Sequence, residues 1–193
     1  MRDRREFVMR PVVLQLCELS IDGIIVGEGT ELFDFCRAIP DDPAHEAWIT
    51  GSLERAGVHI MGRATYEGMA QYFPTATGGL ADAMNRAPKA VFSSTLQAAG
   101  WAGTSIVSGD LAAGVDALRQ HGTGEILAHG GIRFARSLAR LDLVDEYRLG
   151  VVPGAAGAGP SLFADLPGPR PLELLSSTAF GNGIVALSYR RQR

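Results

Sequence analysis

The chain of 193 residues is long enough for one domain with a substantial core. Apolar residues at 46% and charged residues at 20% are ordinary for a globular protein, and a net charge of −3 gives no basic field for nucleic acid or anionic membrane. No apolar run reaches bilayer length, residues 1–6 are charged with no apolar signal segment, and Cys17 and Cys36 form no disulfide framework. The expectation is therefore a cytoplasmic protein, with residues 1–10 a disordered arm and residues 11–193 a single domain.

Residues 12–19 are mostly apolar and predict a first strand. Ser20-Ile21-Asp22-Gly23 follows, then the apolar run 24–26. An aspartate-glycine pair in that place is either a hairpin turn or a kink that brings a carboxylate to the rim of a sheet. Residues 28–43 are polar and broken by Pro40 and Pro43, as in a lid or a passive surface loop. Asp42 with Pro43 behind it starts a helix through Trp48, Ile49 and Leu53, which Gly57 ends. Residues 58–61 form a second strand that runs into Gly62-Arg63-Ala64-Thr65-Tyr66-Glu67, the start of another helix. A connector over 74–87 holds a short helical piece.

Residues 89–92 are a third strand, ending in Ser93-Ser94-Thr95, and 105–107 a fourth. A helix spans 110–121. Residues 125–129 are a strand that stops at Gly130-Gly131, and 132–141 form a helix with Arg133, Arg136 and Arg140 on one stripe. A strand over 144–152 ends at Pro153, a loop over 154–160 is nearly free of side chains, and 172–180 with 184–190 read as a terminal hairpin. Strands alternating with helices predict a three-layer α/β fold: a mainly parallel sheet, helices on both faces, and a C-terminal antiparallel hairpin.

Ligands in such sheets bind beyond the carboxyl ends of the strands. Asp22, Gly62–Thr65, Ser93–Thr95 and Gly130–Gly131 all fall at such ends. Glycines at a strand-to-helix junction leave backbone N–H groups and the positive end of a helix dipole open to an anion such as a pyrophosphate. Taken alone, each pair is ordinary turn punctuation; their common position is the stronger signal.

In this order and spacing, Ser20-Ile21-Asp22-Gly23, Met61 to Glu67, Lys89 to Leu96 and His129-Gly130-Gly131 resemble the dihydrofolate reductase superfamily. The reductase domain of riboflavin biosynthesis and its stand-alone relatives are the nearer likeness, over residues 10 to the C-terminus. The resemblance implies that Gly62, Arg63, Thr65, Ser93, Ser94, Gly130 and Gly131, with Ile132 beside them, hold a nicotinamide dinucleotide. It implies NADPH as cofactor, with NADH left open because Ser94 stands where the family often has a basic residue. Asp22 matches the family's aspartate near nicotinamide and substrate. Its role there would be to orient the substrate or to supply a proton during hydride transfer, which would need a raised pKa; otherwise Asp22 is a turn former.

The expected activity is hydride transfer to a C=N or C=O group of a small pterin-like or pyrimidine-like heterocycle, by a homodimer. The alternative is a non-catalytic nucleotide-binding or regulatory module on the same fold. A hydrolase would need a glycine-x-serine-x-glycine elbow, which the chain lacks. The histidines and cysteines show no metal-ligand spacing. His59, between apolar neighbours, reads as a core histidine. Phe33, Phe35, Trp48 and Tyr72 could wall a flat heterocycle, although core positions suit most of them.

Overall fold

The computed structural model describes residues 9–27 and 29–192. Its strands are β1 (Val12–Leu19), β2 (Ala56–Gly62), β3 (Lys89–Phe92), β4 (Thr104–Val107), β5 (Glu125–His129), β6 (Glu146–Val151), β7 (Leu172–Ala179) and β8 (Val185–Arg191). They form one sheet in the order β4-β3-β2-β5-β1-β6-β8-β7. The strands from β4 to β6 in that order are parallel, and β8 joins β6 antiparallel with β7 on the outer edge. The three-layer α/β fold with a closing hairpin is therefore the observed architecture.

β1 reads as a near-continuous apolar run because it lies inside the sheet, between β5 and β6, with both faces covered. The pleat sends Val12 and Leu14 to one face and Val13 to the other. The first face packs on α5 (Leu111–Gln120) and α6 (Ile132–Arg140) through Val115, Phe134 and Leu138. The second packs on α2 (Pro43–Arg55), α3 (Arg63–Tyr72) and α4 (Gly79–Arg86) through Leu53, Tyr66 and Met84. On α6 the buried residues are Phe134, Ala135, Leu138 and Ala139, while Arg133 and Arg140 are exposed, as the arginine stripe predicts.

Local chemistry sets the boundaries. Asp42 caps α2 by accepting from the Ala44 and His45 amides, with Pro43 at the first helical position. Asp110 caps α5 through the Ala113 amide. The stretch between residues 20 and 24 is a tight turn rather than a kink: Gly23 has φ +78°, the Gly23 amide donates to Ser20 O, and Leu19 pairs antiparallel with Ile25.

Three expectations need correction. Residues 28–43 are not irregular throughout: α1 (Glu31–Arg37) lies inside them, its Thr30 hydroxyl accepting from the Phe33 amide. Gly57 does not end α2; that helix stops at Arg55, and Gly57 lies within β2, where a Cβ would collide with the Thr123 carbonyl. The arm cannot extend to residue 10, because Arg10 is buried and its guanidinium donates to the carbonyls of Leu118, His121, Gly124 and Glu125. Residues 1–8 of that arm lie outside the described residues. No helix among the described residues is long and apolar enough to cross a membrane.

Candidate functional site

β5 is threaded between β2 and β1. The carboxyl ends of β2 and β5, with the helices that follow each, are thereby neighbours. One hydrogen bond fixes their relation: the Thr65 hydroxyl, in the first turn of α3, donates to the Gly130 carbonyl at 2.7 Å. Gly62 and Gly130 thus stand on the same rim.

The glycines there are required by space. Gly131 has φ +114°, and a Cβ on it would overlap the Thr65 hydroxyl. A Cβ on Gly130 would lie 2.8 Å from Leu16 Cδ2. Both α3 and α6 begin on a glycine, Gly62 and Gly131, with no side-chain cap. α4 also begins on an uncapped glycine, Gly78, whereas α1, α2 and α5 carry Thr30, Asp42 and Asp110 as caps. The first-turn N–H groups of α3 and α6 are therefore donors without a side-chain acceptor, converging on one point.

Two open cavities join around Gly62, Arg133 and Phe134. One, of 530 Å³, is lined by Gly62 to Thr65, Glu67 and Gly131 to Phe134. The other, of 300 Å³, is lined by Phe92, Ser93, Ser94, Val107 and Arg133 among others. The Phe92 and Phe134 rings, 5.5 Å apart between centroids, form an apolar floor between them. An uncapped double N-terminus beside an apolar slot is the donor set that a diphosphate and an aromatic base require, so the residues present fit a dinucleotide.

The rim brings together all eight residues expected at the cofactor. Arg63 is restrained: Nε contacts Glu67 Oε1 at 2.6 Å and Nη1 donates to Thr95 Oγ1 at 2.9 Å. The Ser93 hydroxyl accepts from the Thr95 and Leu96 amides and so shapes the turn after β3, leaving Ser94 facing the smaller cavity. Arg133, exposed at the junction of the two cavities, makes no ion pair with a described residue.

Asp22 stands apart and does not meet the requirement for a proton donor. Its carboxylate accepts from the Ala156 and Gly157 amides at 3.0 and 2.7 Å, and lines neither cavity. The Ser20 hydroxyl, followed by those two amides, holds its pKa down at about 2, opposite to the raised value that donation would need. Asp22 is a latch for the glycine-rich loop after β6.

Beneath the rim lies a buried pair that spacing along the chain does not reveal. His129 Nε2 and His59 Nδ1 are 2.9 Å apart. Burial is the main cause that lowers both pKa values, to about 4 for His129 and about 2 for His59. Lys89 is also buried, giving its ammonium protons to the carbonyls of Met84, Asn85 and Ala87 at the end of α4, 4.5 Å from the Trp101 ring centroid. The lone lysine of the chain is thus a structural clasp.

The fold and this rim define a member of the dihydrofolate reductase-like class of α/β proteins. Residues 11–186 match the RibD C-terminal domain, and the chain belongs to that family. It is 26% identical over 185 residues to the uncharacterized protein YyaP of Bacillus subtilis, covering 93% of this chain and 94% of that one. Among solved structures it is similar to a riboflavin biosynthesis protein candidate from Shewanella sp. PV-4, with a TM-score of 0.77 and 21% identity over 94% of this chain and 99% of that one. It is also similar to the dihydrofolate reductase of Enterococcus faecalis in complex with NADP(H), with a TM-score of 0.64 and 13% identity over 96% and 99% of the two chains.

Proposed function

We propose that this chain is a nicotinamide-dependent reductase that passes a hydride to a C=N or C=O group of a small pterin-like or pyrimidine-like heterocycle. The observation that carries the proposal is the Thr65–Gly130 bond, which sets two uncapped helix N-termini side by side. The N–H groups at the starts of α3 and α6 would hold the diphosphate, and Thr65 and Ile132 would flank it. Phe92 and Phe134 would support the adenosine, with Ser93 and Ser94 at its edge. The cofactor supplies the hydride when bound; the protein contributes position and exclusion of water.

NADPH is the expected cofactor. Ser94 carries no charge, but Arg133 beside the same cavity gives a free cation within the trough, suited to a 2′-phosphate. The homodimer and the cytoplasmic location expected from the sequence belong to this same proposal.

Quenching of the fluorescence of Trp48 and Trp101 by NADPH, followed by assays of NADPH oxidation with reducible heterocycles, tests it. Saturable quenching with turnover supports a reductase. Quenching without turnover on any such compound supports the non-catalytic module, a reading that the latched, acidic Asp22 favours. No quenching at millimolar cofactor removes the reductase and favours a regulatory module that has lost the site.

A further inference from the structure

The joined cavities at the rim are lined by two cations and one anion. The cations are Arg63 and Arg133. The anion is Glu67, the single carboxylate among the described residues that wall either space. It is the fifth residue of α3, just past the first turn. The first turns of α3 and α6 hold no acidic residue, whereas those of α1, α2 and α4 do: Glu31 with Asp34, Glu46 and Asp82. A carboxylate in the first turn of a rim helix would take the place of a phosphate at the amides. The two rim helices leave that place clear, and Glu67 is the nearest carboxylate along α3.

Glu67 engages the guanidinium that a phosphate would use. Arg63 Nε, 2.6 Å from Glu67 Oε1, carries one hydrogen, and Nη1 donates to Thr95 Oγ1 at 2.9 Å. Arginine grips a phosphate most strongly through two parallel N–H bonds, and its side-on pair of donors includes Nε–H. With Nε–H on Glu67, that fork is closed. Thr95 belongs to the turn after β3 that also carries Ser93 and Ser94, so its bond keeps the guanidinium by that turn when Glu67 lets go. The side chains of Arg63 and Glu67 are 48% and 45% exposed. An exposed i,i+4 pair adds little to folding and exchanges partners at small cost.

We infer that Glu67 is a specificity-determining residue of the dinucleotide trough. Its carboxylate holds Arg63 until a cofactor phosphate takes its place, and its charge then lies beside the ligand. Repulsion scales with the product of the charges, so a ribose bearing a 2′-phosphate is penalised more than one bearing a 2′-hydroxyl. The inference rests on the dinucleotide reading proposed above and adds the residue that limits the preference for NADPH.

The test is calorimetric titration of the full chain and of Glu67→Gln with NADPH and with NADH. Glutamine keeps the length of the side chain and removes its charge. We expect Glu67→Gln to tighten NADPH by about tenfold and NADH by about threefold. Glu67→Ala, which also removes the acceptor from Arg63, should give the same signs and serves if glutamine still bonds the guanidinium. NADPH binding that is unchanged or weaker in both variants overturns the inference, as does an equal gain for the two cofactors. Weaker NADH binding would show that the carboxylate accepts from the ribose hydroxyl, and overturns it as well. In all of these cases the dinucleotide reading stands. Binding of neither cofactor by the native chain would end that reading and the inference together.

Discussion

Substituting Gly131→Ala should damage the rim in a way that Thr65 controls. The native φ of +114° lies in a region that side chains avoid, and forcing alanine into it costs about 1–3 kcal/mol. The new methyl would also overlap the Thr65 hydroxyl, breaking its 2.7 Å bond to the Gly130 carbonyl, a loss of about 1 kcal/mol. The sum is roughly 2–4 kcal/mol, which for a chain of this size lowers Tm by roughly 5–15 °C. Loss of one or two N–H contacts to a phosphate should weaken NADPH by about 10- to 100-fold.

The assay is a double-mutant cycle over Gly131→Ala and Thr65→Ala, read by thermal melting and NADPH titration. Removing the hydroxyl removes the overlap, so the double variant should be more stable than the sum of the single losses by about 1 kcal/mol. Strict additivity in stability, or unchanged NADPH affinity in Gly131→Ala, would refute the reasoning.

Other consequences follow from the same structure. Arg133→Ala should weaken NADPH by about tenfold more than it weakens NADH, since its guanidinium borders the smaller cavity proposed for the adenosine end; equal losses for both cofactors would show a different role. The His59–His129 pair should make stability fall with acidity. Both folded pKa values lie below the unfolded value, so the stabilisation is complete above about pH 6.5. It is lost as pH falls toward the His129 value of about 4, at up to about 2.7 kcal/mol per pH unit from the two groups together. Urea midpoints between pH 7 and pH 5 should therefore drop more steeply in the native chain than in a His59→Asn, His129→Asn variant; equal slopes would contradict it. Lys89→Met should cost about 2–4 kcal/mol, because the carbonyls of Met84, Asn85 and Ala87 lose their donor inside the protein. A melting temperature unchanged by that substitution would show that water replaces the ammonium.

What the sequence revealed was what periodicity and capping control. β1, β3 and β5 are mostly apolar, as the buried sheet interior demands. Asp42-Pro43 marks a helix start because that pair satisfies the first amides locally. The seven-residue α1 escaped because it is too short to show a period, and only Thr30 followed by Glu31 signalled it. The rim glycines were legible as glycines at strand ends; that Thr65 binds Gly130 across 65 positions was not.

Contacts between strands were the other gap. His59 and His129 lie 70 positions apart and meet only because β5 returns to pair with β2. Asp22 was legible in position, but the amides its carboxylate accepts from, those of residues 156 and 157, lie far along the chain and were not.

The most direct test is a crystal structure of the chain with NADPH. The account places the diphosphate between the first turns of α3 and α6, in contact with amides of the 62–65 and 130–132 segments, and the adenosine over Phe92 and Phe134. Cofactor ordered instead at the opposite end of the sheet, in the cavity beside Arg10 and Gly122, would contradict it.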